Sequence, residues 1–262
     1  MFYSDGRAPG MSGDATARAG LVASPGRCFP AAMTAAEFAA TLDSTNLRLD
    51  ATEADLAALC AEAAVHRFAC VMLYPANVAF AARQLAGTGI RIGTVVGFPS
   101  GRFATAAKLV EVETARTAGA HEVDIVMNYP ALRAGRPAEA GDEIAALTAR
   151  AHALGLLVKV IVETCYLEAP QRLAALRLCE AAGADFIKTS TGFGAAGARP
   201  EHLCEWAAAR VRPIGLKASG GIRTLADARP LLAAGAIRLG TSNAGAILAE
   251  FVRAGAAETP GA

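Results

Sequence analysis

Two lysines each close a short apolar run, and small residues follow each of them at once. The runs are Ala-Asp-Phe-Ile-Lys188 and Ile-Gly-Leu-Lys217. A solvated lysine has a pKa of about 10.4, so at neutral pH it is an ammonium that cannot attack a carbonyl. Burial at a strand end, or a second ammonium nearby, favours the neutral amine instead. The pair therefore predicts a nucleophilic amine, provided that the fold brings the two side chains together.

The separation of the lysines along the chain suggests how they meet. They are 29 residues apart, which leaves room for one helix and a return to the neighbouring parallel strand. At about 5 Å and an effective dielectric near 20, two ammonium groups repel by roughly 3 kcal/mol, or about two pKa units. We therefore predict that Lys188 and Lys217 act together in catalysis. The alternative is that each is a salt-bridged lysine at a strand end.

Carboxylates can supply the partners that buried lysines need. Asp124 lies in Glu-Val-Asp-Ile-Val, a run typical of a buried strand, where an unpaired carboxylate is costly. We predict that Asp124 holds Lys217 as an ammonium and passes protons to and from the substrate, with a structural ion pair as the alternative. Asp43 is predicted either to pair with a lysine and transfer protons in the same way or to cap the helix that follows it. Lys159 is interpreted as a structural residue. For Glu163, both a structural and a catalytic role remain as alternatives.

Small and polar residues follow the last three predicted strands. Glycine lets backbone amides approach an anion closely, and phosphate sites of α/β barrels often lie after strands seven and eight. We therefore predict a phosphate-binding site, with turn glycines that hold no ligand as the alternative. The residues assigned to substrate and phosphate binding are Thr191, Gly192, Ser219, Gly220, Gly221, Gly240, Ser242 and Asp43.

One motif in this region argues for a different ligand. Residues 192–197 read Gly-Phe-Gly-Ala-Ala-Gly, which matches the G-x-G-x-x-G pattern of dinucleotide-binding folds. Pro200 follows closely, however, where the helix of that motif should already be running. The position about 20 residues on is near Lys217, not an acid that would bind a ribose hydroxyl. We therefore predict no nucleotide cofactor.

The elements that position these residues form a repeated unit of short apolar strand, loop and helix. Eight such strands predict the α/β class and a (β/α)₈ TIM barrel, with an initial helix over 34–40 capping its bottom; a doubly wound open sheet is the alternative. The predicted strands are 41–45, 69–74, 91–97, 122–127, 156–163, 184–188, 213–217 and 236–239. The predicted helices between them include 52–66, 105–118, 139–153, 169–182, 200–210 and 225–234.

Length and composition fit a single domain in a chain of 262 residues. We assign residues 31–262 to the barrel and residues 1–30 to a disordered extension. Lys+Arg 25 against Asp+Glu 24 leave a net charge of +1, so nucleic acid is not a predicted partner. Six cysteines without metal-ligand spacing indicate reduced thiols, no metal site and a cytoplasmic protein. No apolar run reaches the roughly 18 residues of a membrane span, and no signal peptide is recognisable.

The segments that carry the chemistry resemble the class I deoxyribose-phosphate aldolases over about residues 32 to 253. The resemblance implies reversible cleavage of 2-deoxy-D-ribose 5-phosphate to acetaldehyde and D-glyceraldehyde 3-phosphate, without a metal or cofactor. It also implies that Lys188 forms a Schiff base, that Lys217 lowers its pKa, that Asp124 relays protons and that Ser242 and the glycines hold the phosphate. A homodimer is a possible assembly. The similar stretches are Glu-Val-Asp-Ile-Val, Val-Ile-Val-Glu-Thr-Cys, Phe-Ile-Lys-Thr-Ser-Thr-Gly-Phe-Gly, Gly-Leu-Lys-Ala-Ser-Gly-Gly-Ile-Arg-Thr and Arg-Leu-Gly-Thr-Ser.

Two other functions fit the same residues. One is another Schiff-base phosphosugar aldolase or a transaldolase-like enzyme with ketone donors, and the other is a non-catalytic barrel that binds sugar phosphates. Three positions depart from the family pattern. Ser44 stands where many members have histidine. Asn128-Tyr129-Pro130 follows strand four, where a more apolar or glycine-rich turn is common. Phe193 stands where some members carry a phosphate-facing lysine and others also have Phe-Gly. We expect Tyr129 to narrow the site, and selectivity for phosphate stays open at Phe193.

Overall fold

Eight parallel strands close into a barrel in the computed structural model, which describes residues 33–257. Each strand pairs with the next one along the chain, and β8 pairs with β1. The strands are β1 Leu42–Thr45, β2 Cys70–Leu73, β3 Arg91–Val96, β4 Glu122–Val126, β5 Leu157–Ile161, β6 Phe186–Lys188, β7 Gly215–Ser219 and β8 Arg238–Thr241. The predicted TIM barrel is confirmed, because pairing of the last strand with the first excludes an open sheet.

Helices return the chain from each strand to the next. The capping box at Thr52 begins the first of the long helices, and left-handed glycines such as Gly119 and Gly183 end two others. The helices are α1 Ala35–Ala39, α2 Glu53–His66, α3 Val78–Gln84, α4 Thr105–Ala118, α5 Tyr129–Arg133, α6 Pro137–Ala153, α7 Ala169–Ala182, α8 Pro200–Ala209, α9 Leu225–Ala233 and α10 Ala244–Ala257.

The two faces of the strands differ in chemistry. Outward-facing residues such as Ile187 join a continuous apolar core beneath the helices. The inward-facing positions of β4 to β7 carry charge instead: Asp124 lies in register with Lys159, and Lys188 lies in register with Lys217. Because side chains alternate along a strand, one register places all four charged groups inside the barrel.

The predicted elements are present, with small shifts at their ends. Strands β7 and β8 each run two residues beyond the predicted end, and β5 stops at Ile161. The sequence analysis did not assign α3, α5 or α10. The first two have seven and five residues, too few to display a helical period, and α10 contains Gly245 and Gly255, which lower helix propensity.

The predicted initial helix is α1. Thr34 and Glu37 form a capping box at its start, and the Phe38 ring stacks on Phe251 of α10 with 4.3 Å between centroids. This contact ties the segment before the first strand to the helix after the last strand. The predicted disordered extension, residues 1–30, lies outside the described residues, and the boundaries of the domain stay a prediction.

Within residues 33–257, the structure contains no helix that is long and apolar enough to cross a membrane. The cysteines of this part of the chain are free thiols: Cys60, Cys70, Cys165, Cys179 and Cys204. No group of three or more His, Cys, Asp or Glu side chains in the same span could hold a metal ion.

Replacement of Phe38 tests the contribution of α1 to stability. We expect Phe38→Ala to lower the free energy of unfolding by about 3 kcal/mol, because the buried ring and its stack on Phe251 are both lost. Val65→Ala, at an exposed helical position, should change it by less than about 0.5 kcal/mol. Urea denaturation measures both values. Equal stability of Phe38→Ala and Val65→Ala would contradict a stabilising role for α1.

Candidate active site

The two predicted catalytic lysines meet on one carboxylate oxygen. Lys188 Nζ lies 2.6 Å from Asp124 Oδ2, and Lys217 Nζ lies 2.8 Å from the same atom. All three side chains are almost completely buried. Asp124 therefore brings the two amines together, because a single carboxylate oxygen accepts from both. The structure unites the three residues that the sequence assigned to catalysis.

A second set of charges lies around this cluster. Lys159 Nζ lies 2.9 Å from Asp124 Oδ1 and 2.5 Å from Glu122 Oε2. Asp43 Oδ2 lies 2.5 Å from Lys217 Nζ. Lys159, interpreted from the sequence as structural, is thus the third lysine on Asp124.

Arg238 links the carboxylates of this second set. Its Nε donates to Asp43 Oδ1 at 2.7 Å, and its Nη2 donates to Glu122 Oε2 at 3.0 Å. The carboxylate of Asp43 therefore accepts hydrogen bonds from both Lys217 and Arg238. Its side chain is fully buried. It does not line the cavity described below and does not cap α2, whose cap is Thr52. Asp43 pairs with Gly240 in the sheet, but its side chain points into the barrel interior and is not part of the cavity wall that the other predicted substrate-binding residues form.

The charges of this interior cluster do not balance. Lys159, Lys188, Lys217 and Arg238 are four buried cations when all are protonated, and Asp43, Glu122 and Asp124 supply three buried carboxylates. One further cation, Arg91, reaches Glu122 from the edge, with about a third of its side chain exposed. An unpaired buried cation is energetically costly, and the cost is removed most easily when one of the lysines loses a proton.

Lys188 is the group that gives up the proton. Burial, opposed by Asp124 but reinforced by the charge of Lys217, lowers the pKa of Lys188 to about 8. About a tenth of Lys188 is then a neutral amine at pH 7, against less than about one part in a thousand for an ordinary lysine. Burial opposes ionisation of Asp124, but Lys159, Lys188 and Lys217 together hold its pKa well below the usual range. The carboxylates of Asp124 and Glu122 raise the pKa of Lys159 despite its burial.

A cavity of about 720 Å³ opens above Lys188 at the carboxyl ends of the strands. Its wall includes the loop residues predicted to bind phosphate: Thr191, Gly192, Ser219, Gly220, Gly221, Gly240 and Ser242. Lys217 and Asp124 do not line the cavity, so Lys188 is the member of the catalytic cluster that is presented to a ligand.

The loops after β6, β7 and β8, here called the phosphate-type loops, contain backbone hydrogen-bond donors that have no acceptor in the described part of the chain. The backbone N–H groups of Gly192, Gly220, Gly221 and Ser242 have no acceptor among residues 33–257. Arg223, which the sequence analysis did not assign, also lines this part of the cavity and adds a guanidinium. Amides together with one cation are a common way to bind a phosphate group.

The departures from the family pattern fall at different distances from the cavity. Phe193 lines it and makes an edge contact with Phe98, with 5.2 Å between ring centroids. Tyr129 stacks on Tyr166 at 5.7 Å and is not part of the cavity wall, so the expectation that it narrows the site is not supported by this cavity. Ser44 lies on β1 beside Asp43.

Fold and site together are those of a (β/α)₈-barrel enzyme with a buried, deprotonatable lysine at the carboxyl ends of its strands. Residues 36–249 match the DeoC/LacD family aldolase profile. The chain is 43% identical over 218 residues to a deoxyribose-phosphate aldolase of Carboxydothermus hydrogenoformans, covering 82% of this chain and 96% of the relative. It is 42% identical to that of Aciduliprofundum boonei, covering 80% and 95% of the two chains. The chain belongs to the DeoC/LacD family of aldolases.

A solved structure supports the same assignment. The tetrameric deoxyribose-phosphate aldolase of Aeropyrum pernix superimposes with a TM-score of 0.78 at 33% sequence identity. The match covers 84% of this chain and 92% of that one. The family suggested by the lysine segments is therefore confirmed, and the barrel is the architecture of a known aldolase.

Four residues of the site were missed or left open by the sequence analysis. Glu122 and Arg238 gave no local signal, because their partners lie on strands far away along the chain. Arg223 follows a glycine pair in a loop, and a basic residue beside phosphate-type glycines was the available signal. Glu163 contacts the Thr191 loop, and its left-handed backbone is invisible in the sequence.

Replacement of Lys188 should make the protein more stable. Because the pKa of Lys188 is lower in the folded chain than in the unfolded chain, its protonation opposes folding most strongly below about pH 8, and the penalty vanishes above about pH 10.4. We expect Lys188→Met to raise the free energy of unfolding at pH 7 by about 2–3 kcal/mol. Denaturation at pH 7 and pH 10 measures the difference. A variant no more stable than the parent at pH 7 would contradict the charge surplus.

Replacement of Lys217 tests its effect on the neighbouring amine. We expect Lys217→Met to raise the pKa of Lys188 by about one to two units, because a like charge is removed. The pH at which Lys188 reacts half-maximally with a small aldehyde, trapped by borohydride, reports this pKa. Lys108→Met removes another buried lysine, which pairs with Glu143 outside the barrel interior, and should leave the midpoint unchanged. A midpoint in Lys217→Met equal to that of the parent would exclude the role.

Proposed function

We propose that this aldolase catalyses the reversible cleavage of 2-deoxy-D-ribose 5-phosphate to acetaldehyde and D-glyceraldehyde 3-phosphate. The proposal rests on one observation above all: Lys188 and Lys217 share one oxygen of Asp124, and Lys188 opens into the cavity lined by the phosphate-type loops. The deoxyribose-phosphate aldolase names of the relatives support the same substrate.

The chemistry begins with the neutral amine of Lys188. Its lone pair attacks C1 of the open-chain sugar, and loss of water gives a protonated imine. Removal of the C3 hydroxyl proton then lets the C2–C3 bond break, and its electron pair moves into the imine to form an enamine. D-glyceraldehyde 3-phosphate departs with the new aldehyde at the former C3. Protonation of the enamine at C2 and hydrolysis of the imine release acetaldehyde and restore the amine.

Lys217 and Asp124 are assigned the proton transfers of this cycle. Lys217 holds its ammonium between Asp43 and Asp124, 2.5 Å and 2.8 Å from their oxygens. Its positive charge keeps the pKa of Lys188 low, and Asp124 passes protons between Lys217 and water, which carries them to the substrate in the cavity. A purely structural ion pair would not require both amines to meet on one oxygen next to a cavity.

The loops after β6, β7 and β8 are assigned to the phosphate. Gly192, Gly220, Gly221 and Ser242, whose amides have no acceptor among residues 33–257, line the same cavity as Lys188, and so does Arg223. Binding of the phosphate there would orient the sugar so that its aldehyde reaches the amine, which gives the effective concentration that imine formation needs. Asp43 acts through Lys217 and is not assigned a direct contact with substrate.

The two alternative functions make different demands on the same residues. A transaldolase-like enzyme would accept ketone donors such as dihydroxyacetone, and a non-catalytic binding protein would use the lysines only as charge partners. The pKa of Lys188 at about 8 favours a reactive amine over a charge partner. A homodimer and a cytoplasmic location stay predictions, as does the absence of a metal or cofactor from the reaction.

Trapping of the imine decides among these functions. We expect borohydride with acetaldehyde to leave an N-ethyl group on Lys188 and to inactivate the enzyme, because the reduced adduct cannot hydrolyse. Peptide mass spectrometry locates the adduct, and Lys188→Ala is the control. Labelling by dihydroxyacetone but not by acetaldehyde would support the ketone-donor alternative. Stabilisation by sugar phosphates without any adduct would support the binding protein.

A further inference from the structure

Glu163 has a backbone conformation that needs an explanation. It follows β5 with φ 54° and ψ 66°, in the left-handed region that side chains other than glycine rarely adopt. The other such residue between 33 and 257 is Arg67, which ends helix α2, where this conformation is usual. Glu163 ends no helix. Strain of this kind, on the order of 1–3 kcal/mol, is often retained at functional sites.

The side chain of Glu163 is buried and contacts one loop. Thr191 donates to Glu163 Oε2 through both its backbone N–H, at 3.2 Å, and its hydroxyl. Cys165 Sγ lies 3.8 Å from Oε1. No cation lies within ion-pair distance in the described part of the chain, and burial raises the pKa of the carboxyl group. The acid is therefore used for hydrogen bonding and is not a member of the central charge cluster.

The contacts continue along the loop from Thr191 to Gly194. The Thr191 hydroxyl accepts from the backbone N–H of Phe193 at 3.0 Å. Gly194 packs so closely on Glu163 that an added Cβ would lie 3.0 Å from the carboxyl carbon. Three members of this loop, Thr191, Gly192 and Phe193, line the cavity. The loop is therefore folded around the Glu163 carboxyl group.

Other contacts hold the residues on either side of this loop. Ser219 donates from its hydroxyl to the Ser190 carbonyl, and Gly197 packs on the backbone of Gly220. Between these anchors, Glu163 supplies the hydrogen bonds to Thr191, and the ring of Phe98 contacts Phe193. Glu163 therefore controls the segment that contributes the open amide of Gly192 to the phosphate-type loops.

We propose that Glu163 is the positioning residue for phosphate recognition: it fixes the Thr191–Gly194 loop as one wall of the phosphate site. This inference rests on the proposed function and assigns reactivity and substrate selectivity to different residues. Lys217 and Asp124 govern the reactivity of the Lys188 amine, and Glu163 governs selectivity for a phosphorylated substrate. The backbone strain at Glu163 is retained because it aims the carboxyl group at this loop.

The test compares binding of phosphate with formation of the imine. We expect Glu163→Ala to weaken the affinity for inorganic phosphate about tenfold, and to reduce by about tenfold the preference in kcat/KM for 2-deoxyribose 5-phosphate over 2-deoxyribose, mostly through KM. Borohydride trapping of acetaldehyde on Lys188 should stay within about twofold of the parent. Glu163→Gln should recover part of the loss, because its amide oxygen still accepts from the Thr191 N–H.

Two further variants make the result specific. Glu180→Ala removes another buried glutamate, which accepts from the backbone N–H groups of Val211 and Arg212 in the loop before β7, and should leave the phosphate preference unchanged. Thr191→Val removes the hydroxyl hydrogen bond of the same link, whereas the backbone N–H of residue 191 still donates to Glu163. It decides the question if Glu163→Ala does not fold. Its effect should combine with that of Glu163→Ala less than multiplicatively, because both remove one connection.

The possible outcomes separate this inference from the proposed function. Unchanged phosphate affinity and preference in Glu163→Ala and Thr191→Val would overturn the inference. An equal loss for both sugars, or a loss of imine trapping, would also overturn it, because either result indicates a general structural role. Failure of the parent enzyme to trap acetaldehyde would refute the proposed aldolase function, whereas the phosphate affinities would still test the role of Glu163.

Discussion

The carboxylate of Asp124 is the interaction on which the rest of the site depends. Its two oxygens receive three lysines from three successive strands, β5, β6 and β7. Without this anion, three ammonium groups would lie together in an interior that excludes water, and removal of one partner from a buried ion pair typically costs about 3–5 kcal/mol. Closure of the barrel is therefore linked to the charge cluster: the same register that pairs the strands also places each lysine on its acceptor.

The sequence predicted the eight strands, most of the helices and the three residues at the centre of the site, because these depend on local patterns. A lysine at the end of an apolar strand can be recognised from a few neighbours, and alternation then tells which face it occupies. The partners across the barrel could not be predicted in this way. Arg238 reaches Asp43 over 195 residues of sequence, and only the closed topology makes them neighbours. Asp43 was predicted to bind substrate for the same reason, because no local pattern showed that Lys217 and Arg238 already form hydrogen bonds with its carboxylate.

The glycine pattern at residues 192–197 shows how one motif can arise from different constraints. Its last glycine packs against the carbonyl oxygen of Gly220, where an added Cβ would lie only 2.0 Å away. Gly194 is similarly restricted by Cys165 and Glu163. The segment is a loop that ends where Pro200 begins α8. Close packing accounts for Gly194 and Gly197, and a left-handed backbone with φ 88° accounts for Gly192. The helix begins only at Pro200, as the position of the proline indicated.

The surplus of one cation in the barrel interior also bears on the direction of electron flow during the reaction. As a free amine, Lys188 leaves the interior balanced, but the protonated imine of the proposed cycle returns a positive charge to the same nitrogen. Cleavage of the carbon–carbon bond sends an electron pair toward that nitrogen and produces a neutral enamine. Repulsion from the neighbouring cations is therefore present before the bond breaks and relieved as it breaks, which lowers the barrier selectively for this step. The feature that makes the resting protein less stable thus makes the iminium a stronger electron acceptor.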